Sequence, residues 1–315
     1  MFRLLLLICL FISGVASSNE LWLKISEASK ASHDLNYSGI INTTDSNQDI
    51  QSTKMIHVNH EGEEFLKIEK IDGADNLLLM HEADAVIYDN DQNKILIKKK
   101  KDAHLFPNIF PSNLDKLKDS YSIGDGGTFR VAGRATQMLV LSPIDENRYN
   151  YHLWLDKESH LPLKMMVIDN NKKVVENIAF ANIEFLKSQD ISWFRPNINN
   201  DIAYSINENK NIEETVRKFW TINDLPSGFE EVSYSAKRYA GLNAIAHQII
   251  YSDGLSYISI FIHPVAKNQK PQVGSSKRGS SNIHAEYKKG YQILAVGAVP
   301  MQTLSYITNK VKLNK

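Results

Sequence analysis

The residues of this chain most able to do chemistry are its ten histidines, as metal ligands or general bases. His57 and His60 stand three apart across a strand end and a turn. His81, His104, His152 and His160 stand singly. None belongs to an H-x-x-x-H pair on a helix with an acid nearby, so no metal set is legible. A nucleophilic serine needs a strained turn, a base and an acid. No Gly-x-Ser-x-Gly occurs, and in Tyr251-Ser252-Asp253-Gly254-Leu255 the Asp-Gly pair is first a hairpin turn. Gly124, Gly126 and Gly127 lack the helix and lysine of a phosphate loop. The sequence therefore offers no catalytic residues and no cofactor fingerprint.

Cationic groups remain. Lys98 to Lys101 is the only basic run; it reads as a solvated strand end, or as a contact for an acidic partner or anionic head group. Arginine is scarce, eight against twenty-eight lysines, yet Arg130, Arg134 and Arg148 share one stretch. A planar guanidinium suits fixed pairing with carboxylates or phosphates. Pairing inside the chain, with Asp145, Glu146 or Asp156, is the plain alternative to a ligand site.

The stretch that carries them, Phe129 to Leu163, must be positioned by a sheet. Phe129 to Leu141 reads as one largely apolar strand, and Ser142 to Asn147 as a turn. Arg148 to Asp156 alternates, with Tyr149, Tyr151, Leu153 and Leu155 on one face. Leu161 to Asp169 follows as a third strand. Upstream, Glu20 to Ser32 has helical spacing, with Leu21, Trp22, Ile25 and Ala28 on one side. Six strands are then expected: from Asn36, 54–58, 63–71, 76–80, 83–89 and 94–100. That many strands without a helix argue for one antiparallel sheet. Ser112 to Leu117 reads as a short covering helix, and Val174 to Phe185 as a further strand or pair.

Polar, turn-rich residues 196–214 read as a linker. Beyond it, strands are expected at 231–240, 245–251, 257–263 and 291–296, a closing helix at 301–311, and a mobile loop at 266–281. The organisation expected is a leader at 1–18, a large domain at 19–195, the linker, and a smaller domain at 215–315.

The leader fixes the address. Met1-Phe2-Arg3 is a basic start, Leu4 to Ile12 an apolar run, and Val15-Ala16-Ser17-Ser18 a cleavage region, the pattern of a secretory signal peptide. Cys9 would leave with it, so the mature chain would hold no cysteine. An exported chain without disulfides suits a Gram-negative periplasm. Zero formal net charge gives no support for nucleic-acid binding.

Leu35-Asn36-Tyr37-Ser38-Gly39, Ile71-Asp72-Gly73, Arg130 to Arg134 and Arg148 to Asp156 resemble the RseB/MucB family. So do Leu225 to Phe229, Tyr251 to Leu255, Ile258 to Ile262 and Val299 to Thr303. The resemblance runs in order along nearly the whole mature chain. It departs at Asn150 and His152, where the family has Gly and Arg, at Asn76 to Met80, in place of an Arg-rich strand, and at Ala298, in place of Glu.

The resemblance implies an α+β protein: a LolA/LolB-like curved antiparallel sheet, an unclosed barrel with capping helices, plus a smaller C-terminal α+β domain. It implies a non-enzymatic regulator of an envelope-stress sigma factor. Such a regulator binds the periplasmic part of a single-span anti-sigma factor, shields it from site-1 proteolysis, and is released by lipopolysaccharide or lipid. Arg130, Arg134 and Arg148 would line or brace the larger sheet, and Tyr251, Asp253 and Phe261 would mark strands facing the partner. A lipid or lipoprotein carrier is the alternative; a homo-oligomer stays open.

Overall fold

The computed structural model describes residues 18–73, 75–82, 84–99, 105–111, 113–187, 190–195, 205–208, 219–238 and 244–313. Residues 1–17 of the leader expected at 1–18, Lys100 and Lys101, His104 and most of the expected linker lie outside them.

Helix α1 (Ser18–Asp34) covers the helix expected at 20–32, and Leu21, Trp22, Ile25, Ala28 and Ala31 form its buried stripe. Six strands follow: β1 (Tyr37–Asp45), β2 (Ile50–His60), β3 (Glu63–Lys70), β4 (Asn76–His81), β5 (Asp84–Asp89) and β6 (Lys94–Lys99). Short turns join them into an antiparallel meander. After the short helix α2 (Asp115–Lys118), a second meander runs through β7 (Tyr121–Val131), β8 (Arg134–Pro143), β9 (Asn150–Asp156), β10 (Pro162–Ile168) and β11 (Val174–Phe185). Strand β1 pairs with both β2 and β11, which fuses the meanders into one sheet.

That sheet curls. Six strand steps separate β2 from β7, roughly 29 Å if the sheet were flat. Yet α1 touches both, and β7 also approaches β11. The sheet wraps the helix without closing: among the described residues β7 does not pair with the far edge of the sheet. Tyr149, Tyr151, Leu153 and Leu155 point into this core, as their alternation predicts.

Three expectations need correction. Phe129 to Leu141 is not one strand. It turns at Ala132-Gly133, where φ is +49° and +78°, the positive pair that a type I′ hairpin needs. Residues 205–208 of the expected linker form β12 (Ser205–Glu208), which pairs parallel to β6 at the sheet edge. The expected loop at 266–281 contains β17, described below.

The smaller domain has β13 (Trp220–Ile222), β14 (Glu230–Arg238), β15 (Ile245–Ser252), β16 (Tyr257–Pro264), β17 (Gly274–Arg278), β18 (Ser281–Lys288), β19 (Tyr291–Gly297), α3 (Met301–Lys310) and β20 (Val311–Leu313). Its antiparallel sheet runs β14-β15-β16-β19-β18-β17, and β13 pairs with β20. Leu304 and Ile307 of α3 pack on Ile260, Ile293 and Ala295, making a second core.

Candidate functional site

The two domains meet at a buried cationic side chain. Arg148, 1% exposed, leaves the turn before β9. Its Nε donates to Asp253 Oδ2 at 2.7 Å, while Nη1 donates to Asp145 and Nη2 to the Ser227 carbonyl. The ring of Phe229 lies 4.8 Å from the guanidinium carbon, in cation–π range. Asp253, also 1% exposed, sits in the β15–β16 turn. It accepts four bonds: Arg148 and Tyr121 Oη (2.9 Å) on Oδ2, and the Leu255 and Ser256 amides on Oδ1. The Asp-Gly turn read from the sequence thus presents its carboxylate to the other domain. Burial opposes ionisation of Asp145, but the Arg148 bond and charge together with hydrogen bonding from Asn147 outweigh it and lower that pKa. Burial, reinforced by Asp253, holds the Tyr121 phenol far above its usual range.

Around this pair the joint adds further polar contacts, beside Leu255, which packs on the larger core. Tyr151 Oη and Ser256 Oγ are 3.1 Å apart. Asn282 donates to Tyr149 Oη and to the Val299 carbonyl. Thr303 and Gln302, at the start of α3, donate to the carbonyls of Asn147 and Glu146. Ser227, Phe229, Asp253, Gln302 and Thr303 lie in segments of the family resemblance, whereas Ser256 and Asn282 lie outside them. One-dimensional order showed these motifs but not their convergence; Tyr121, Ser256 and Asn282 were missed because nothing local marks them.

The other predicted residues scatter. Arg134 forms a bidentate pair with Asp156 (3.0 and 2.9 Å), reaches Glu158, and lies over Phe185. That is the internal bracing weighed against a ligand role. Arg130 is exposed on β7. Tyr251 is buried in the smaller core, and burial raises its pKa. Phe261 is half-buried on the sheet face opposite α3, in register with Gln248 and Leu294.

The larger domain holds a small cavity of about 60 Å³. Tyr37, Met55, Leu66, Met80 and Phe106 give it apolar walls, and His57 and Glu64 a polar rim. Glu64 Oε1 lies 2.7 Å from His33 Nδ1 and 3.4 Å from His57 Nε2. Burial opposes its charge, yet the two histidines bring its pKa down to about 2. The Glu64 bond is the main reason that the His33 pKa is raised. Among the described residues no group of three or more His, Cys, Asp or Glu side chains is arranged to hold a metal ion.

A curled, unclosed sheet around a helix, locked by buried charge to a smaller sheet domain, defines a two-domain class. The chain belongs to the MucB/RseB family: residues 18–198 match its N-terminal domain and residues 214–312 its C-terminal domain. The sigma-E factor regulatory protein RseB of Haemophilus influenzae is 25% identical over 307 residues, 96% of this chain and 95% of that protein. The sigma factor AlgU regulatory protein MucB of Pseudomonas aeruginosa is 25% identical over 217 residues, 67% of this chain and 66% of that one. Among solved structures, MucB in complex with MucA(peri) superposes with a TM-score of 0.75 at 18% identity, covering 95% of this chain and all of that one. MucB alone gives 0.67 at 18% identity, covering 95% of this chain and 99% of that one.

Proposed function

We propose that this chain is a non-enzymatic periplasmic regulator. It binds the periplasmic segment of a single-span anti-sigma factor and shields that segment from site-1 proteolysis. The observation that carries the reading is family membership across both domains: its relatives are named sigma-factor regulators, and one of them, MucB, was crystallised with MucA(peri). The exported address rests on the leader pattern.

Protection is then mass action on a protease-resistant complex. The joint supports it by holding two domains as one surface, so a single segment can contact both. We assign to the partner the sheet face that carries Phe261, where Ile250, Leu294, Val296 and Ile283 lie on the side away from α3. Lipopolysaccharide or another lipid would release the grip only by favouring the free form, and the coupling must be reciprocal.

The carrier alternative draws less support. Pockets for drug-sized ligands run to about 300–1,000 Å³, and the cavity here is about 60 Å³. The test is a pull-down from envelope membranes with the mature chain as bait and mass spectrometry as readout. Recovery of a single-span anti-sigma factor is expected; recovery of lipoproteins or lipid alone would overturn the reading.

A further inference from the structure

The smaller sheet ends in an open strand. β17 is the last in the order β14-β15-β16-β19-β18-β17, and among the described residues no strand lies beyond it. All five of its residues are exposed. Its hairpin to β18 turns through Gly279-Ser280, with Arg278 facing Ser281 and the φ of Gly279 at +58°. A two-residue turn closes on a pair that exchanges hydrogen bonds, and such pairs alternate along the ladder. Gly274, Ser276 and Arg278 therefore bond to β18. The backbone N–H and C=O of Ser275 and Lys277 point the other way, into solvent.

This edge is anchored at both ends. Just ahead of the strand, the Gln292 side chain accepts from the Gln272 amide and donates to the Gln272 carbonyl, both at 2.8 Å. At the far end, Ser46 Oγ of the larger domain donates to the Gly279 carbonyl at 2.8 Å, and Glu176 hydrogen-bonds Ser280. Between them, Ser275 Oγ lies 2.8 Å from His284 Nδ1. A strand fixed before binding loses little further entropy when a partner pairs with it. The edge also continues the sheet face assigned above to the partner, because Ser276 stands beside Ile283, and Ile283 beside Val296.

Charge selects what can pair there. Residues 264–285 hold Lys267, Lys270, Lys277 and Arg278, and no Asp or Glu. Among the described residues neither Lys277 nor Arg278 has an acidic partner. Short edges that carry lysine resist pairing with another copy of themselves. The same cations favour a strand that brings carboxylates opposite them. Beyond the turn the sign reverses: a Cβ added to Gly279 would lie 3.1 Å from Asp45 Oδ2. Acids are thus favoured beside Lys277 and Arg278, and not past Gly279.

We propose that the anti-sigma segment binds β17 as an added strand, through an extended acidic stretch without proline. The four outward backbone groups of Ser275 and Lys277 hold its main chain, and Lys277 and Arg278 set its register. The proposal rests on the regulator reading and names the part of the partner, and of this chain, that make the contact.

Two readouts test it on the mature chain with the anti-sigma periplasmic segment. Hydrogen exchange at the Ser275 and Lys277 amides, followed by nuclear magnetic resonance, should slow roughly ten-fold or more in the complex. Calorimetry should find Lys277→Pro weaker by about ten-fold, since it removes both a charge and an outward donor. Lys277→Ala, which keeps the donor, should lose only about three-fold. Both variants should melt near the wild-type temperature, because an outward N–H at an edge can be given up without breaking the ladder. A bound segment that leaves the two amides exchanging freely, or equal affinities for Lys277→Pro and Lys277→Ala, would overturn strand addition and leave the regulator reading intact. Amide protection that needs no segment and grows with protein concentration would overturn it in favour of a second copy. A segment that does not bind at all would overturn both.

Discussion

Replacing Asp253 by Asn keeps the volume of the side chain and removes its charge. Oδ1 would go on accepting from the Leu255 and Ser256 amides. On the other side an NH2 group would face two donors, Arg148 Nε–H and Tyr121 Oη–H. Arg148 is 1% exposed and would retain only Asp145, the Ser227 carbonyl and the Phe229 ring. Removing one member of a buried ion pair costs about 3–5 kcal/mol; the retained Oδ1 bonds place this substitution near 3. With a urea dependence of about 3 kcal/mol per molar, the transition should fall by roughly 1 M. Tryptophan fluorescence reads it, since Trp22 and Trp154 report on the larger domain and Trp220 on the smaller. The wild-type chain should unfold in one step, and the variant in two as the domains uncouple. Adding Arg148→Met to the variant should cost less than Arg148→Met alone, a coupling on the order of 0.5–3 kcal/mol. A midpoint unchanged in Asp253→Asn, or additive effects in the double variant, would refute the joint.

Three further outcomes follow from the same structure. Gly228→Ala should destabilise by about 2 kcal/mol in urea, because φ is +82° and an added Cβ would press on Ser120 Oγ and lie 2.9 Å from Arg148 Nη2. Glu64→Gln should flatten the acid limb of stability: the depressed Glu64 pKa supplies stability above its ordinary value of 4.5 that is lost as pH falls towards about 2. Thermal melts between pH 2 and 6 check this, and equal slopes in wild type and variant would contradict it. Phe261→Ala should weaken binding of the anti-sigma segment by ten-fold or more, about 1.4 kcal/mol, with its melting temperature little changed; calorimetry that finds equal affinity would remove Phe261 from the partner surface.

The alternation of Tyr149, Tyr151, Leu153 and Leu155 was legible because one buried face imposes a period of two. The hairpin at Ala132-Gly133 was hidden because Ala rarely adopts positive φ and the apolar run continues through it. Strand β17 has no legible pattern in the sequence because all five of its residues are exposed and polar or small. The role of Asp253 lay furthest from view. Its turn chemistry is local, but the charge it meets is 105 residues away. The scarcity of arginine marks one end of that pair; the family resemblance marks Asp253 at the other, but for strands facing a partner and not for a bond to Arg148.

The most direct measurement is the cleavage rate of the anti-sigma periplasmic segment by its site-1 protease, with the mature chain added at rising concentration. Cleavage should fall along a saturation curve whose midpoint equals the Kd measured by calorimetry, and Phe261→Ala should move both together. Cleavage that stays constant while the segment is bound would contradict protection by occlusion.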